Sequence, residues 1–401
     1  MQENNMPLRG VKILDIGTMM SAPWAAAFLG DFGAEVIKIE HPQKGDNSRH
    51  FGDSKDGKGV FWKTLSRNKK CITLNINTEE GTEIFLNLIK QCDVLIENFR
   101  PGTMEKWGYD WNKLSSVNPG LVWLRCSGFG QEGPYAHKGG FGTIAEAMSG
   151  FASLNGYPDT PPTVPPIALA DGIAGMAGMG VILTALYERD AQGSGKGQVI
   201  DITLYEPIMR LMEVQLMEYD VLNKLSQRMG SGIASAAPRN VYQTKEGKWI
   251  ALSASNQPVV EKLFKAMGKE DLIDDPRFVD NACRIRNVDQ LDEIVGGWIK
   301  QFEQDEVLQI LGEAGAVAGP VYDIDQIYED PHFNERASFV ELDDQDFGTM
   351  RLPNVLAKLS RTPGKIRFTG RDKGQDNQET YGELLGISEE RLQELKEKGV
   401  I

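Results

Sequence analysis

The sequence predicts an α/β fold built on a largely parallel sheet, and three observations carry this prediction. Short apolar runs alternate with helical patterns along the first half of the chain, which is the rhythm of successive βαβ units. The 401 residues exceed what one hydrophobic core usually organises, so a second, smaller unit is expected. The 43 glycines are suited to many tight turns and close packings.

The first half of the chain contains most strands of the predicted sheet. Runs rich in Val and Ile predict strands, and apolar residues at helical spacing predict the helices between them. One helix is expected to end at Gly33, where a glycine interrupts the pattern. The predicted strands are residues 11–16, 35–40, 72–76, 94–97 and 121–126, and the predicted helices are residues 22–32 and 78–91.

The second half begins with a long, glycine-rich apolar helix and then changes composition. A Gly/Ser/Ala-rich stretch at residues 228–237 marks a boundary, after which a hairpin-like segment at residues 240–254 opens a smaller unit. The predicted elements are helices at residues 172–189, 206–223, 257–267, 288–301 and 305–314 and a strand at 198–204. The predicted domains are a large α/β domain at residues 1–225, a small α+β domain at 226–330, and a segment at 331–401 that returns to the large domain.

The charge of the chain excludes some classes of partner. A formal charge of −14 and a pI near 4.9 argue against general binding of nucleic acid or of anionic membranes, which needs excess Lys and Arg. The longest uncharged stretch after Asp171, residues 172–187, is shorter than a membrane span requires. Residues 1–10 lack the apolar core of a secretory signal. We therefore expect a protein of the cytoplasm.

Cysteine and histidine spacing gives no indication of a metal site. The cysteines are scattered singly, which is typical of buried thiols in a reducing compartment. The histidines show no HxxxH or HExxH pairing, so no zinc site is predicted. The residues concerned are Cys71, Cys92, Cys126 and Cys283, and His41, His50, His137 and His332.

Asp171 is the sharpest candidate for chemistry. It ends the apolar run PPIALAD and precedes a helix with glycines at 172, 175, 178 and 180. A carboxylate at a helix N-terminus is favoured in its ionised form, and an ionised carboxylate can act as nucleophile or base. Asp is also among the commonest helix caps, so a purely structural role is the alternative.

Two further patterns suggest a ligand site in the first unit. GFGQEG at residues 128–133 fits GxGxxG, but Pro134 follows at once and no helix is expected to open there, which argues against a dinucleotide fingerprint. Basic residues cluster near the strand ends, where phosphates bind in open α/β sheets. They are Lys44, Arg49, Arg67, Lys69, Lys70, Arg100, Lys106, His137 and Lys138.

Motifs along nearly the whole chain resemble the family III CoA-transferases, which include formyl-CoA and carnitine CoA-transferases. They are LRGVKILDIGTMMSAPWAAAFLGDFGAEVIKIE, NKKCITLNINTEEG, VLIENFRPGTMEKWG, SGFGQEGP with IAEAMSG, ALADGIAGMAG, GKGQVIDITLYE, DPRF, AGPVYDIDQI, DPHF and GQDNQETYGELLGIS. The resemblance implies a doubly wound large domain with a smaller domain inserted. It also implies an interlocked homodimer.

The resemblance also implies an activity and its residues. CoA would pass from an acyl-CoA thioester to a free carboxylic acid, with no permanently bound cofactor, and Asp171 would be the covalent nucleophile. The family's CoA contacts fall on Met20, Ser21, His41, Leu74, Asn75, Asn98, Phe99, Arg100, Lys106, Lys138, Gly139 and Gly140. Met20 stands where formyl-CoA transferase has a glutamine, which puts formyl or oxalyl chemistry in doubt. The loop at residues 230–233 could stabilise oxyanions through its N–H groups.

Two alternatives stay open from the sequence. The α-methylacyl-CoA racemase shares the fold and needs a His and Asp base pair, but Phe141 and Gly142 occupy those positions in KGGFGT. A protein that binds CoA or a dinucleotide without catalysis is the other. The acids are not identified, and a short-chain, dicarboxylic or carnitine-like acceptor with succinyl-CoA or a similar donor is expected.

Overall fold

The computed structural model describes residues 5–401. The strands are β1 (Lys12–Asp15), β2 (Glu35–Glu40), β3 (Ser54–Lys55), β4 (Lys58–Gly59), β5 (Lys69–Thr73), β6 (Val94–Glu97), β7 (Val122–Ser127), β8 (Val199–Thr203), β9 (Arg239–Gln243), β10 (Trp249–Ser253), β11 (Ala318–Pro320), β12 (Phe339–Asp344) and β13 (Gly348–Pro353).

The helices are α1 (Ser21–Asp31), α2 (Val60–Leu65), α3 (Glu79–Gln91), α4 (Thr103–Lys106), α5 (Trp111–Val117), α6 (Gly142–Met148), α7 (Phe151–Leu154), α8 (Leu169–Asp190), α9 (Glu206–Leu211), α10 (Glu213–Leu222), α11 (Gln257–Ala266), α12 (Asn281–Arg286), α13 (Val288–Ile299), α14 (Gln304–Ala314), α15 (Ile324–Glu329), α16 (Pro331–Glu335), α17 (Asn377–Leu385) and α18 (Glu389–Glu397).

A six-stranded parallel sheet forms the centre of the fold, as the sequence predicts. Its strand order is β5-β2-β1-β6-β7-β8, and every neighbouring pair is parallel. From β1 the chain adds successive strands β2 and β5 on one side, and from β6 it adds β7 and β8 on the other side. The carboxyl ends of β1 and β6 therefore border the crevice in which open α/β sheets bind their ligands.

Both faces of the sheet are covered by helices, because its strands are apolar on both sides. In β1, Leu14 packs into a core shared with α3, α5, α17 and α18. The neighbouring Ile13 packs into a second core shared with α1 and α8. Trp123 and Leu124 of β7 divide between the two cores in the same way. Alternate residues of these strands thus pack against a layer of helices on each face of the sheet.

Helix α8 lies against α1 because its glycines leave room for the partner backbone. A Cβ at Gly175 would lie 3.0 Å from the carbonyl oxygen of Ser21 and 2.9 Å from Cβ of Trp24. By length and composition, α8 could also cross a membrane. One side of it, with Ala170, Ala174 and Ile182, is instead buried in the core beneath the sheet.

Three predicted boundaries were wrong. Strand β5 covers Lys69–Thr73 rather than 72–76, because Lys69 is buried and ion-paired instead of solvated. Helix α8 begins at Leu169 rather than at residue 172, because the helical turn extends back over apolar Leu169 and Ala170. The helix predicted at 206–223 breaks at Met212 into α9 and α10.

The chain divides into two units. Of the described residues, unit 1 contains 5–151, 164–217 and 336–401, and unit 2 contains 152–163 and 218–335. In unit 2, β9 and β10 form the predicted hairpin, and β11 extends it to a three-stranded sheet whose core includes α11, α13 and α14. The hairpin of β12 and β13 in unit 1 was not predicted. The domains at residues 1–225, 226–330 and 331–401 stay a prediction.

Candidate active site

Asp171 lies in the first turn of α8, on the side of the helix that meets α1 and α6. The helix starts at Leu169, so Asp171 is its third residue. It is therefore not the helix cap, which was the structural alternative suggested by the sequence. The cap position belongs to Ala168, whose side chain cannot accept a hydrogen bond. A carboxylate oxygen of Glu146, on α6, accepts the N–H of Ala170 at 3.1 Å instead.

Three residues surround the carboxylate of Asp171. The backbone N–H and the hydroxyl of Ser21, the first residue of α1, act as donors near it that lower its pKa. The backbone of Gly142 lies so close that a Cβ at this position would collide with Oδ2 of Asp171. Glu146 is one helical turn further along α6 and is 2% exposed. The nucleophile candidate is therefore held on three sides.

This environment changes the protonation of Asp171. Burial and the negative charge of Glu146 raise the pKa of Asp171 to about 6, against the opposing effect of its own N–H and of Ser21. The sequence had suggested that the helix N-terminus favours the ionised form, and here burial and Glu146 outweigh that effect. With a pKa of about 6, the carboxylate is mostly ionised at pH 7. It is thus charged at neutral pH but weakly stabilised.

The loop between β1 and α1, residues 16–20, carries Ser21 to Asp171. Asn98, just after β6, accepts the N–H of Thr18 at 2.7 Å and donates to its carbonyl oxygen at 2.7 Å. Met19 adopts a φ of 63°, a left-handed conformation that a side chain other than glycine rarely takes. The loop is therefore held in a strained form at the crevice between β1 and β6.

A buried ion network holds this loop from below. Lys69 pairs with Asp15 at 2.9 Å, and Lys38 pairs with Asp46 at 2.9 Å, all of them almost fully buried. Asp15 also accepts the N–H of Gly17 at 3.0 Å, and Asp46 accepts that of Met19 at 3.2 Å. The network was missed from the sequence, where charged residues in strands gave no sign of being paired across the sheet.

Several basic residues predicted to face phosphates are occupied elsewhere. Arg49 pairs with Glu40 at 2.6 Å, Arg67 with Asp31 at 2.6 Å, and Lys70 with Glu35 at 3.0 Å. Together with Lys69 they form ion pairs within the protein, so their charges are already partnered and a phosphate pocket built from them stays a prediction. Each of these basic side chains is paired with a carboxylate on a neighbouring element.

Arg100 and Lys106 are exposed, and no ion pair of residues 5–401 includes them. The Nη2 atom of Arg100 lies 3.4 Å from where a Cβ at Gly139 would be, so Arg100 and the loop at residues 138–140 lie close together, and their contact with CoA stays a prediction. Lys138 is 3.7 Å from the centre of the Tyr135 ring. In the same loop, Gly140 packs directly on Gly128, which leaves no space for a side chain at either.

A buried arginine fixes the segment that carries Arg100 and Lys106. Arg125 binds Glu97 at 2.9 Å and Glu105 at 2.7 Å, which connects the end of β6 to α4. Glu97 also accepts the N–H of Phe99 at 2.6 Å. Burial raises the pKa of Glu97 to about 7, while Arg125 opposes that rise. No local sequence signal indicated this bridge.

The remaining predicted CoA contacts lie at the ends of β1, β2, β5 and β6. Met20 is buried beside Ser21, and Phe99 meets Trp107 edge to face. His41 follows β2, and partial burial, Lys44 and Lys373 lower its pKa. The side chain of Leu74 is buried in the core, and the N–H of Asn75 donates to Val400 at 2.7 Å. Lys373 was missed, since it is distant in sequence.

Three loops were considered for other functions, and an oxyanion role for residues 230–233 stays a prediction. Turns rather than a helix follow GFGQEG until α6 begins at Gly142, so no helix N-terminus opens across the loop. Phe141 is 72% exposed at the start of α6 and offers no base. In unit 2, the N–H groups of Gly230 and Gly232 donate to Gly156 and Met229, so these two are already hydrogen-bonded.

Comparison with known proteins identifies relatives over the full chain. The model of CoA-transferase family III matches residues 8–377. The chain is 40% identical over 397 residues to succinyl-CoA–D-citramalate CoA-transferase of Chloroflexus aurantiacus, covering 98% of each chain. It is 40% identical over 400 residues to the beta subunit of succinyl-CoA–L-malate CoA-transferase of the same organism, covering 99% of this chain and 98% of that one.

A solved structure has the same fold. It is that of a CaiB/BaiF family protein from Brucella suis, with a TM-score of 0.83 and 30% identity over 95% of this chain and all of that one. The similarity supports the parallel α/β arrangement described above.

Proposed function

Because the chain belongs to CoA-transferase family III, it is a transferase that acts between acyl-CoA thioesters and carboxylates, and we propose that Asp171 is its covalent nucleophile. The observation that carries the proposal is a half-buried carboxylate in the first turn of α8, in contact with Gly142 and with a pKa raised only to about 6, below neutral pH. A weakly stabilised carboxylate is a better nucleophile than one neutralised by a salt bridge. The racemase alternative is not favoured.

The proposed reaction proceeds in four acyl transfers. The Asp171 carboxylate attacks the donor thioester carbonyl, which forms a mixed anhydride and releases CoA thiolate. The thiolate attacks the aspartyl carbonyl, which forms an aspartyl-CoA thioester and releases the donor acid. The acceptor carboxylate attacks that thioester, which forms a second anhydride and CoA thiolate. The thiolate then attacks the acceptor carbonyl, which yields the new acyl-CoA and free Asp171.

The CoA moiety is proposed to lie along the carboxyl edge of the sheet. Arg100 and Lys106, which form no ion pair within residues 5–401, suit phosphate groups, as do the charges of Lys44 and Lys373 around His41. Met20, Ser21, Leu74, Asn75, Asn98, Phe99 and the loop at Lys138, Gly139 and Gly140 complete the proposed contacts. The relatives' activities suggest succinyl-CoA as donor and a hydroxy dicarboxylic acid as acceptor.

We also propose that the protein forms a homodimer. Helix α10 has no buried residue, although its sequence EVQLMEYDVL is largely apolar. Val214, Met217, Val221 and Leu222 are each more than half exposed. A contiguous apolar surface of this kind is typical of a protein interface, and a second copy of the chain is the proposed partner. The four free cysteines support a location in the reducing cytoplasm.

Trapping of the intermediate tests the role of Asp171. Hydroxylamine added during turnover of succinyl-CoA should convert Asp171 into a hydroxamate, detected by mass spectrometry of its peptide. Asp171→Asn should fold but lose nearly all transfer. Asp190→Asn, at the exposed other end of the same helix, is the matched control and should keep full activity. An active Asp171→Asn enzyme, with deamidation excluded by mass, would disprove the mechanism.

A further inference from the structure

Glu146 is a buried carboxylate for which the reaction proposed above has no use. It is 2% exposed, and no ion pair of the chain from residue 5 onward includes it. Among residues 5–401 its carboxylate accepts one hydrogen bond, from the N–H of Ala170, which comes 24 residues later in the chain. Burying a carboxylate without a cation is costly, so this position calls for an explanation beyond packing.

Helix α6 presents two residues to the first turn of α8. Gly142 and Glu146 are four residues apart and therefore lie on the same face. Gly142 touches Oδ2 of Asp171, and Glu146 binds the amide next to Asp171. Glu146 is thus one helical turn away from the point where α6 meets the nucleophile.

Two electrostatic effects follow from this placement. The charge of Glu146 repels the charge of Asp171 across a largely buried space, where such interactions are strong. Glu146 also occupies the N–H of Ala170, one of the free helix N-terminal donors that would otherwise stabilise an anion. Both effects act against the ionised form of Asp171.

The other charged groups on the elements packed around α8 have partners of their own. Asp201 on β8 accepts the N–H of Gln131, and Glu206 on α9 accepts the hydroxyl of Thr203. Cys126 on β7 contacts Ser21 and is held as a neutral thiol by burial, which raises its pKa to about 12. The remaining ones are Asp31 with Arg67, Arg125 with Glu97 and Glu105, and Arg210 with Glu213.

We propose that Glu146 is a positioning residue that holds the first turn of α8 and, through its charge, keeps Asp171 reactive toward the thioester. The inference rests on the proposed role of Asp171. Acylation turns Asp171 into a neutral anhydride or thioester, which removes the repulsion from Glu146. Glu146 therefore favours both the attack by Asp171 and the accumulation of the covalent intermediate.

The test is the pH profile of kcat/KM for Glu146→Gln, which keeps the shape and the acceptor for Ala170 but removes the charge. The acid limb is expected near pH 6 in the parent enzyme and at a lower pH in the variant, although burial of Asp171 retains part of the rise. At pH 5 the rate relative to the plateau should rise about twofold or more above the parent value of about a tenth. The yield of hydroxylamine-trapped Asp171 should fall. Glu306→Gln, an exposed residue of α14, should change neither.

A second variant separates charge from structure. Glu146→Asp keeps the charge but shortens the reach to Ala170, so its acid limb should stay near pH 6 while kcat falls. An acid limb that is unmoved in Glu146→Gln, or that drops equally in Glu146→Asp, would overturn the inference. If trapping at Asp171 succeeds and the limb does not move, only the role of Glu146 fails. If trapping fails, the covalent role of Asp171 fails instead.

Discussion

Replacing Asp171 by asparagine is expected to stabilise the folded chain at neutral pH while it abolishes transfer. The pKa of Asp171 rises from 3.8 to about 6 on folding, so the ionised carboxylate is less favourable in the folded state than in the unfolded chain. Each unit corresponds to about 1.4 kcal/mol, which makes the full penalty ~3 kcal/mol above pH 7. An active-site carboxylate that lowers the free energy of unfolding in this way is an example of stability lost in favour of activity.

The magnitude depends on pH in a defined direction. The penalty is absent where both states are protonated, below pH 3.8, grows between pH 3.8 and about 6, and is complete above about 6. At pH 5 it amounts to ~1.5 kcal/mol. The amide can replace only one of the two acceptors offered to Ser21, which costs ~1 kcal/mol. The net gain is therefore ~2 kcal/mol at pH 8 and ~0.5 kcal/mol at pH 5.

Denaturant unfolding of both proteins at pH 8 and pH 5, followed by tryptophan fluorescence, measures this difference. Asp46→Asn is the control of opposite sign. Despite burial, Lys38 and the hydrogen bonds of Ser48 lower the pKa of Asp46 to about 2, so its stabilising effect is present throughout this pH range. The control should lose at least ~2 kcal/mol at both pH values. An Asp171→Asn variant that is no more stable at pH 8, or whose gain does not shrink at pH 5, would refute the reasoning.

Two further predictions concern binding and assembly. Arg100→Ala and Lys106→Ala should each raise KM for the acyl-CoA about tenfold or more, since a charge-assisted contact is worth ~1.5 to 3 kcal/mol. Lys90→Ala, which changes an exposed cation on α3, should leave KM unchanged. If Arg100→Ala and Lys106→Ala also keep the KM of the parent enzyme, Arg100 and Lys106 are not part of the site. Sedimentation at micromolar concentration should give one species near twice the chain mass of 44.4 kDa. A fully active monomer would contradict the homodimer.

Much of the sheet could be predicted from the sequence alone. Strands β1, β2, β6, β7 and β8 are short runs rich in Val and Ile between helical patterns, and this local periodicity is enough to indicate a parallel sheet. The position of Asp171 near a helix start was equally visible, because an apolar run there gives way to glycines. The family motifs, which span the chain, identified the reaction class.

The state of the candidate site was decided by tertiary structure. Glu146 meets the turn of Asp171 only because α6 packs on α8, and no spacing rule relates the two residues. Lys69 is a structural cation because Asp15 lies across the sheet, which moved β5 from its predicted place. Local patterns encode helix and strand through backbone periodicity. Burial and charge pairs depend on residues far apart in the chain, and they determined the pKa of Asp171 and which cations remain free.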